Sequence, residues 1–151
     1  MHIGIVSDTH GLVRPEALEA LAGVDHILHA GDVGKPRVLE VLREVAPLTV
    51  VRGNVDRGPW ASDLPATEWV ELGGRVFYVL HDRGELDLDA RAAGIDVVVS
   101  GHSHQPRLET VDGVVYLNPG SIGPRRFTLP VAMAWGRIVD GGFEAELVTL
   151  G

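Results

Sequence analysis

A chain of 151 residues, 45% of them hydrophobic and 23% charged, has the composition of one folded globular domain and excludes a disordered or fibrous protein. The formal net charge of −8 excludes an extended basic surface for long nucleic acid, whose binding rests on Lys and Arg neutralising phosphates, but leaves small phosphate substrates open. Zero cysteines exclude disulfides, thiolate metal ligands and cysteine nucleophiles. No apolar run approaches the roughly 18 residues of a membrane span and no signal-like segment opens the chain, so a cytoplasmic location is the expectation.

In chain order, His2 to Ser7 reads as a buried strand that enters the polar cluster Asp8, Thr9, His10, Gly11. Pro15 opens a helix that carries Ala17, Leu18 and Leu21 at helical spacing and stops at Gly23. A second strand, His26 to Ala30, runs into Gly31 and Asp32. Pro36 opens a second helix with apolar positions Val38, Leu39, Val41, Leu42 and Val45; Pro47 ends it, and Leu48 to Arg52 is a strand leading to Gly53 and Asn54. Strand, loop, helix, strand is the grammar of a parallel α/β sheet.

From Thr67 the grammar changes. Thr67 to Leu72 and Arg75 to His81 flank the hairpin pair Gly73, Gly74; Leu86 to Ala93 reads as a short helix, and Asp96 to Ser100 as a buried strand. Arg107 to Val111, Val114 to Leu117, Val131 to Val139 and Phe143 to Leu150 follow, with turns at Asp112, Gly113 and at Gly141, Gly142. The expectation is an α/β protein of one domain over 1–151, parallel in its first half and mostly antiparallel in its second.

The informative polar residues stand just after predicted strands: Asp8 and His10, Asp32, Asn54, His81, and His102 with His104. Ligands of open α/β sheets bind beyond the carboxyl ends of strands, so five strands deliver metal-capable groups to one edge. Asp8/His10 and His102/His104 are spaced i, i+2, which in extended backbone points both members to one side. Imidazole with oxygen donors and no thiolate suits two divalent ions, manganese first and iron, zinc or nickel next, better than an all-oxygen magnesium or calcium cage.

The set D-x-H at Asp8 to His10, G-D at Gly31 and Asp32, G-N at Gly53 and Asn54, His81, and G-H-x-H at Gly101 to His104 resembles the calcineurin-like metallophosphoesterases. Asn118, Pro119, Gly120 and Ser121 resemble a loop of that superfamily's small bacterial and archaeal phosphodiesterases. The resemblance implies a two-sheet β-sandwich flanked by helices in αββα layers. It also implies one metal on Asp8, His10, Asp32 and His104, and a second on Asp32, Asn54, His81 and His102, with Asp32 bridging. Such a pair, roughly 3.5 to 4 Å apart, lowers the pKa of a bridging water so that hydroxide attacks phosphorus in line.

Many members place a histidine directly after the asparagine to protonate the leaving oxygen; here Val55 and Asp56 follow Asn54. General acid catalysis is worth about 10² to 10⁴ in rate, so leaving groups that need little protonation, in aryl phosphodiesters for example, are expected, with Asp56 as a candidate proton donor. Asp32, Asn54 and Asp56 are thus the catalytic candidates. Arg125 and Arg126, like Arg52 and Arg57, are candidate phosphate clamps or a solvated surface pair. His29 is a packed residue that orients a ligand, Trp60 a wall of the substrate pocket, and Trp69 and Trp135 core residues. The partner expected is a small phosphoester, without extended nucleic acid or membrane, in a chain compatible with homo-oligomers. Two readings compete: a scaffold of the same fold, as in a subunit of the retromer sorting coat, and a dinuclear hydrolase of amides or nucleotide anhydrides.

Overall fold

The computed structural model describes residues 1–150. Ten strands form two five-stranded sheets. The first contains β1 (His2–Val6), β2 (His26–His29), β3 (Leu48–Val50), β9 (Ala132–Val139) and β10 (Gly142–Thr149), in the order β10-β9-β1-β2-β3. The second contains β4 (Thr67–Leu72), β5 (Arg75–Leu80), β6 (Val97–Val99), β7 (Arg107–Val111) and β8 (Val114–Asn118), in the order β4-β5-β6-β8-β7. Among the described residues no helix is long and apolar enough to cross a membrane.

The central strands β1, β2 and β6 are buried on both faces, and their alternate residues point to different cores. Ile3, Ile5, Leu28, Phe77, Val79, Val97, Leu117 and Ala134 fill the space between the sheets, and Phe143 meets Phe77 edge-on at 5.4 Å between ring centres. On the other face of the first sheet, α1 (Pro15–Leu21) and α2 (Pro36–Val45) bury Leu21, Val38, Leu39 and Leu42 against Val6, Ile27 and Met133. Each helix starts on a proline, whose missing N–H and fixed φ suit the first turn.

The chain does not divide into a parallel and an antiparallel half. β9 and β10 return to the first sheet, pairing antiparallel beside β1, while β1, β2 and β3 run parallel. In the second sheet β5, β6 and β8 are parallel, and only the outer strands β4 and β7 pair antiparallel. Strand direction in this sheet is set by pairing between segments far apart in the chain, and the connection from β5 to β6 is not the expected helix. Instead of a helix over 86–93, a 3₁₀ turn at Arg83–Glu85 precedes one turn capped by Asp89 Oδ1 on the Ala92 N–H and ended by Gly94 at φ +81°. Leu86, Leu88, Ala90 and Ile95 of this segment still cover Val98 and Tyr116, so a loop provides the outer layer.

Two details also depart from expectation. The β9–β10 turn falls on Asp140 and Gly141, both at positive φ as the two-residue hairpin requires. Trp69, 49% exposed, lies outside the core and meets Tyr78 edge-on, on the face of β4 opposite Val70, which packs into the space between the sheets. Trp135 is half-buried against the first core and donates from Nε1 to the Ala20 carbonyl at 2.9 Å.

This topology positions the site. Three parallel strands in each sheet end at one edge: β1, β2 and β3 lead to Asp8, Asp32 and Asn54, and β5, β6 and β8 lead to His81, the His102–His104 loop and Asn118. Within each edge a backbone bond ties neighbouring loops, Asp8 N–H to Gly31 O in the first sheet and Gly101 N–H to His81 O in the second, and the two edges are stitched together by the His102 N–H to Asp8 Oδ2 and by His81 Nδ1 to the Ala30 carbonyl. Removing the ring that fills the space between the sheets, Phe77→Ala, is expected to cost about 3 to 5 kcal/mol of unfolding free energy in a urea titration.

Candidate metal centre

Local backbone geometry aims the side chains. Eight non-glycine residues have positive φ among the described residues, and five of them are Asp8, His10, Asp32, His102 and His104. Left-handed conformations tolerate Asp, Asn and His best and cost of order 1 kcal/mol or more elsewhere, so this clustering marks loops bent to serve a centre. The glycines before the ligands are required by close approach. A Cβ on Gly53 would overlap the Asp32 backbone and carboxylate, and one on Gly101 would overlap Ser7 Oγ and Asp8 Oδ2.

Asp8 lies at the middle. Its Oδ2 accepts from Ser7 Oγ at 2.8 Å and from the His102 N–H at 3.1 Å. Its Oδ1 is buried without a hydrogen-bond partner and lies 3.4 Å from His104 Nε2, 3.7 Å from His10 Nε2 and 3.9 Å from His81 Nε2. His10 and His104 bring their Nε2 atoms within 3.3 Å of each other. Asp32 Oδ1 accepts from the Val55 N–H at 3.1 Å, which leaves Oδ2 between His81 Nε2 at 3.2 Å and His10 Nε2 at 3.5 Å.

The tautomers make this a cation site. His81 Nδ1 lies 2.8 Å from the Ala30 carbonyl and must donate to it, so in the neutral ring Nε2 turns a lone pair towards Asp32. One end of the Asn54 amide lies 3.0 Å from that Nε2 and 3.3 Å from each Asp32 oxygen. With the amide nitrogen there Asn54 donates to all three; with the oxygen there, every atom facing the gap is an acceptor, as a metal requires. Two groups result, Asp8 with His10 and His104, and Asp8 with Asp32 and His81, joined through Asp8 Oδ1 and with Asn54 at the second. The residues fit divalent cations, and Asp32 Oδ2 lies between His10 and His81.

Electrostatics agree. Burial alone would raise the Asp8 carboxyl, but the adjacent imidazoles of His10, His104 and His81 and the hydrogen bond from Ser7 hold it well below the usual carboxylate range. Asp32 behaves likewise: burial opposes the charge, and His81 and the Val55 N–H overcome it. For His81 burial disfavours the charge, yet the bond to Asp32 and the Asp8 charge raise it above its ordinary value. A proton thus neutralises part of the cluster where a metal would displace it.

The two members of the second i, i+2 pair part company. His104 is 2% exposed and joins Asp8 and His10, whereas His102, with 48% of its side chain exposed, stands at the rim, its Nε2 3.9 Å from Asp82 Oδ2 and its ring edge-on to His81. The left-handed kinks at both residues defeat the extended-strand argument. His102 thus lies on the His81 side and His104 on the His10 side.

Asp56 is corrected as a proton donor. Its buried carboxylate accepts from the backbone N–H groups of Val33 at 3.0 Å, Gly34 at 2.8 Å and Gly53 at 2.9 Å. Both oxygens are spent bracing the Asp32 loop against the Asn54 loop. Val55, 43% exposed, leaves no proton-transferring side chain directly after Asn54.

Supporting residues were only partly visible in the sequence. Asn118 donates from Nδ2 to the Gly101 carbonyl at 2.9 Å and Ser103 Oγ at 3.1 Å, and Ser121 donates to the Asp8 carbonyl at 2.8 Å, so the Asn118 to Ser121 loop clasps both ligand loops. Fully buried His29 accepts from the Gly31 N–H at Nδ1 and lies 3.0 Å from Thr9 Oγ1, which donates to the Val33 carbonyl; burial pushes its imidazole down to about 4. Ser7 and Asp82 were overlooked, although each adjoins a ligand. Arg57, Arg125 and Arg126 are exposed, Arg52 donates to the Leu64 carbonyl, and Trp60 packs half-buried on the first core.

Comparison with known proteins bears on this geometry. A sequence profile described as the calcineurin-like phosphoesterase superfamily domain matches residues 1–141. A protein of Methanothermobacter thermautotrophicus named "Probable metallophosphoesterase" is 36% identical over 163 residues, covering 100% of this chain and 94% of that one. The solved structure of an archaeal phosphodiesterase superposes with a TM-score of 0.79 at 25% identity, covering 98% of this chain and 100% of the other. Zinc-complexed Vps29 of Entamoeba histolytica superposes with a TM-score of 0.77 at 22% identity over the whole of both chains, which is a likeness of fold.

Two outcomes follow from the geometry. Asp56→Ala strands three buried N–H groups and is expected to cost about 3 kcal/mol or more in chemical denaturation, together with weaker metal binding, and not merely to shift a pH profile. His29 titrates near 6.5 when unfolded and about 4 when folded, so the unfolded chain binds the extra proton between these values. The contribution of His29 is full above pH 6.5, and about 3 kcal/mol is lost as pH falls towards 4. The raised His81 acts only above 6.5 and the lowered Asp8 and Asp32 only below about 4, while His26, also lowered by burial, adds to the loss in the same direction, so the His29 share is read as the difference from a His26→Gln variant. Denaturation of chelator-treated protein across that window checks it.

Proposed function

The chain belongs to the calcineurin-like phosphoesterase superfamily, and from that premise we propose that it is a dinuclear metal-dependent phosphodiesterase of small substrates. The observation that carries the reading is the buried, unpartnered Asp8 Oδ1, ringed by three imidazole nitrogens, with Asp32 Oδ2 and Asn54 beside it. Divalent cations held there supply positive charge for the phosphate oxygens and a water acidic enough to attack at neutral pH.

The protein's own groups prepare that chemistry. Asp8 and Asp32 are kept ionised, the Ala30 carbonyl fixes the orientation of His81, and Ser7 and the Val55 N–H hold the carboxylates so that one oxygen of each faces the gap. An imidazole, carboxylate and amide donor set accommodates manganese, iron, zinc or nickel, of which we take manganese as the first to test. The phosphodiester preference is supported by Val55 at the place next to Asn54, by the commitment of Asp56 to backbone donors, and by the likeness to an archaeal phosphodiesterase. Without a neighbouring proton donor, an ester whose leaving group departs as a stable anion is the better substrate.

The fold is shared with Vps29, so a scaffold is the second reading; it requires none of the converging acceptors described above. Manganese-loaded protein is expected to hydrolyse bis(p-nitrophenyl) phosphate faster than p-nitrophenyl phosphate, and Asp32→Ala to lose about a hundredfold or more of that turnover. A monoester preference overturns the diesterase reading, faster cleavage of a nucleotide anhydride reassigns the substrate, and metal binding with no turnover of any of these favours the scaffold.

A further inference from the structure

Resting on the phosphodiesterase reading, we propose that the cleft beyond His102 is the subsite for one ester arm of the substrate, and that this arm is planar and aromatic. Two depressions meet at Asp82 and His102. One, of about 290 Å³, opens on the Asn54 and His81 side; the other, of about 410 Å³, runs past His102 to Arg83, Arg107 and Tyr116. A phosphodiester carries two arms on one phosphorus, and two clefts that share the wall of the metal centre match that shape. A monoester would leave one of them without a purpose.

The larger cleft contains a flat platform. The Arg83 guanidinium lies over the Tyr116 ring, 4.1 Å from its centre. Its edge is tied down by an ion pair from Nη1 to Glu109, and Arg107 reaches the same carboxylate at 3.3 Å. One face of the guanidinium rests on Tyr116, and Arg83, with 38% of its side chain exposed, also lines the cleft. Planar π systems stack on guanidinium faces as they do on aromatic rings. Glu109 takes one nitrogen of each guanidinium and offsets part of their charge, which holds the Arg83 plane on Tyr116 as a surface for a planar arm.

Placement next to the metal centre is structural. Asn118 ties Gly101 and Ser103, on either side of His102, to the end of β8, two residues beyond Tyr116. Arg83 stands two residues beyond His81, at the end of β5. The platform and the metal ligands thus share the same strand ends, which fixes the distance from phosphorus to the arm.

Calorimetric titration of the manganese-loaded protein with diphenyl phosphate and diethyl phosphate, both slow to hydrolyse, tests the subsite without relying on turnover. Diphenyl phosphate is expected to bind about tenfold more tightly than diethyl phosphate. Arg83→Ala and Tyr116→Ala should erase that preference; Arg83→Lys, which keeps the charge and removes the plane, should erase it too, and Tyr116→Phe should retain it. Equal affinity for the two diesters in the unaltered protein, or a preference that survives Arg83→Ala and Arg83→Lys, overturns the proposal. An aryl preference in a protein that hydrolyses no diester supports the subsite and sinks the diesterase reading, whereas diester hydrolysis without an aryl preference does the reverse.

Discussion

The constraint on which the rest of the structure depends is the crowding of acceptor atoms around Asp8 Oδ1. Three imidazole nitrogens, a second carboxylate and an amide face one gap, and no backbone or side-chain donor serves the oxygen at its middle. Lone pairs and negative charges held this close repel unless a proton or a metal lies between them. A flexible chain would relax the arrangement by turning the side chains out to water. Much of the architecture is organised to prevent that.

The restraint works at three levels. Parallel strands in both sheets end at one edge, so six loops start from strand ends held in the sheets. The loops are then bent through left-handed residues and glycines that admit no Cβ, which costs conformational energy at each position. Finally, groups that never reach the gap lock the loops to one another: Asp56 through three backbone donors, Asn118 and Ser121 across the sheet edges, and the His29, Thr9, Val33 relay beneath. Packing energy from the two cores offsets the strain, in keeping with sites whose geometry is held by the surrounding scaffold.

This division explains what happened to Asp56 and His102. A carboxylate two residues after Asn54 is as good a proton donor on paper as any other, and only the three N–H groups pointing at it reveal a brace. The spacing of His102 and His104 is the same as that of Asp8 and His10, and all four residues are left-handed, yet His104 turns inward while His102 stays at the rim, where it separates two clefts. The loop after His81 likewise looked like a helix from its leucines and alanines. It buries them without being one, and so frees Arg83 to lie on Tyr116.

By itself the sequence determined the strand and helix pattern of the first fifty residues, the hairpin turns at Gly73, Gly74 and at Asp112, Gly113, and the placement of polar groups just after apolar strands, because these follow from short-range periodicity and from proline and glycine placement. The family resemblance carried by Asp8 to His104 was legible for the same reason. Only the tertiary structure decided which sheet β9 and β10 join, that β5, β6 and β8 run parallel, that Asp56 braces while Asp32 faces the gap, and that a guanidinium platform adjoins the metal centre. Those outcomes rest on contacts between residues far apart in the chain and on single backbone dihedrals, and neither is recorded in the local pattern of residue types.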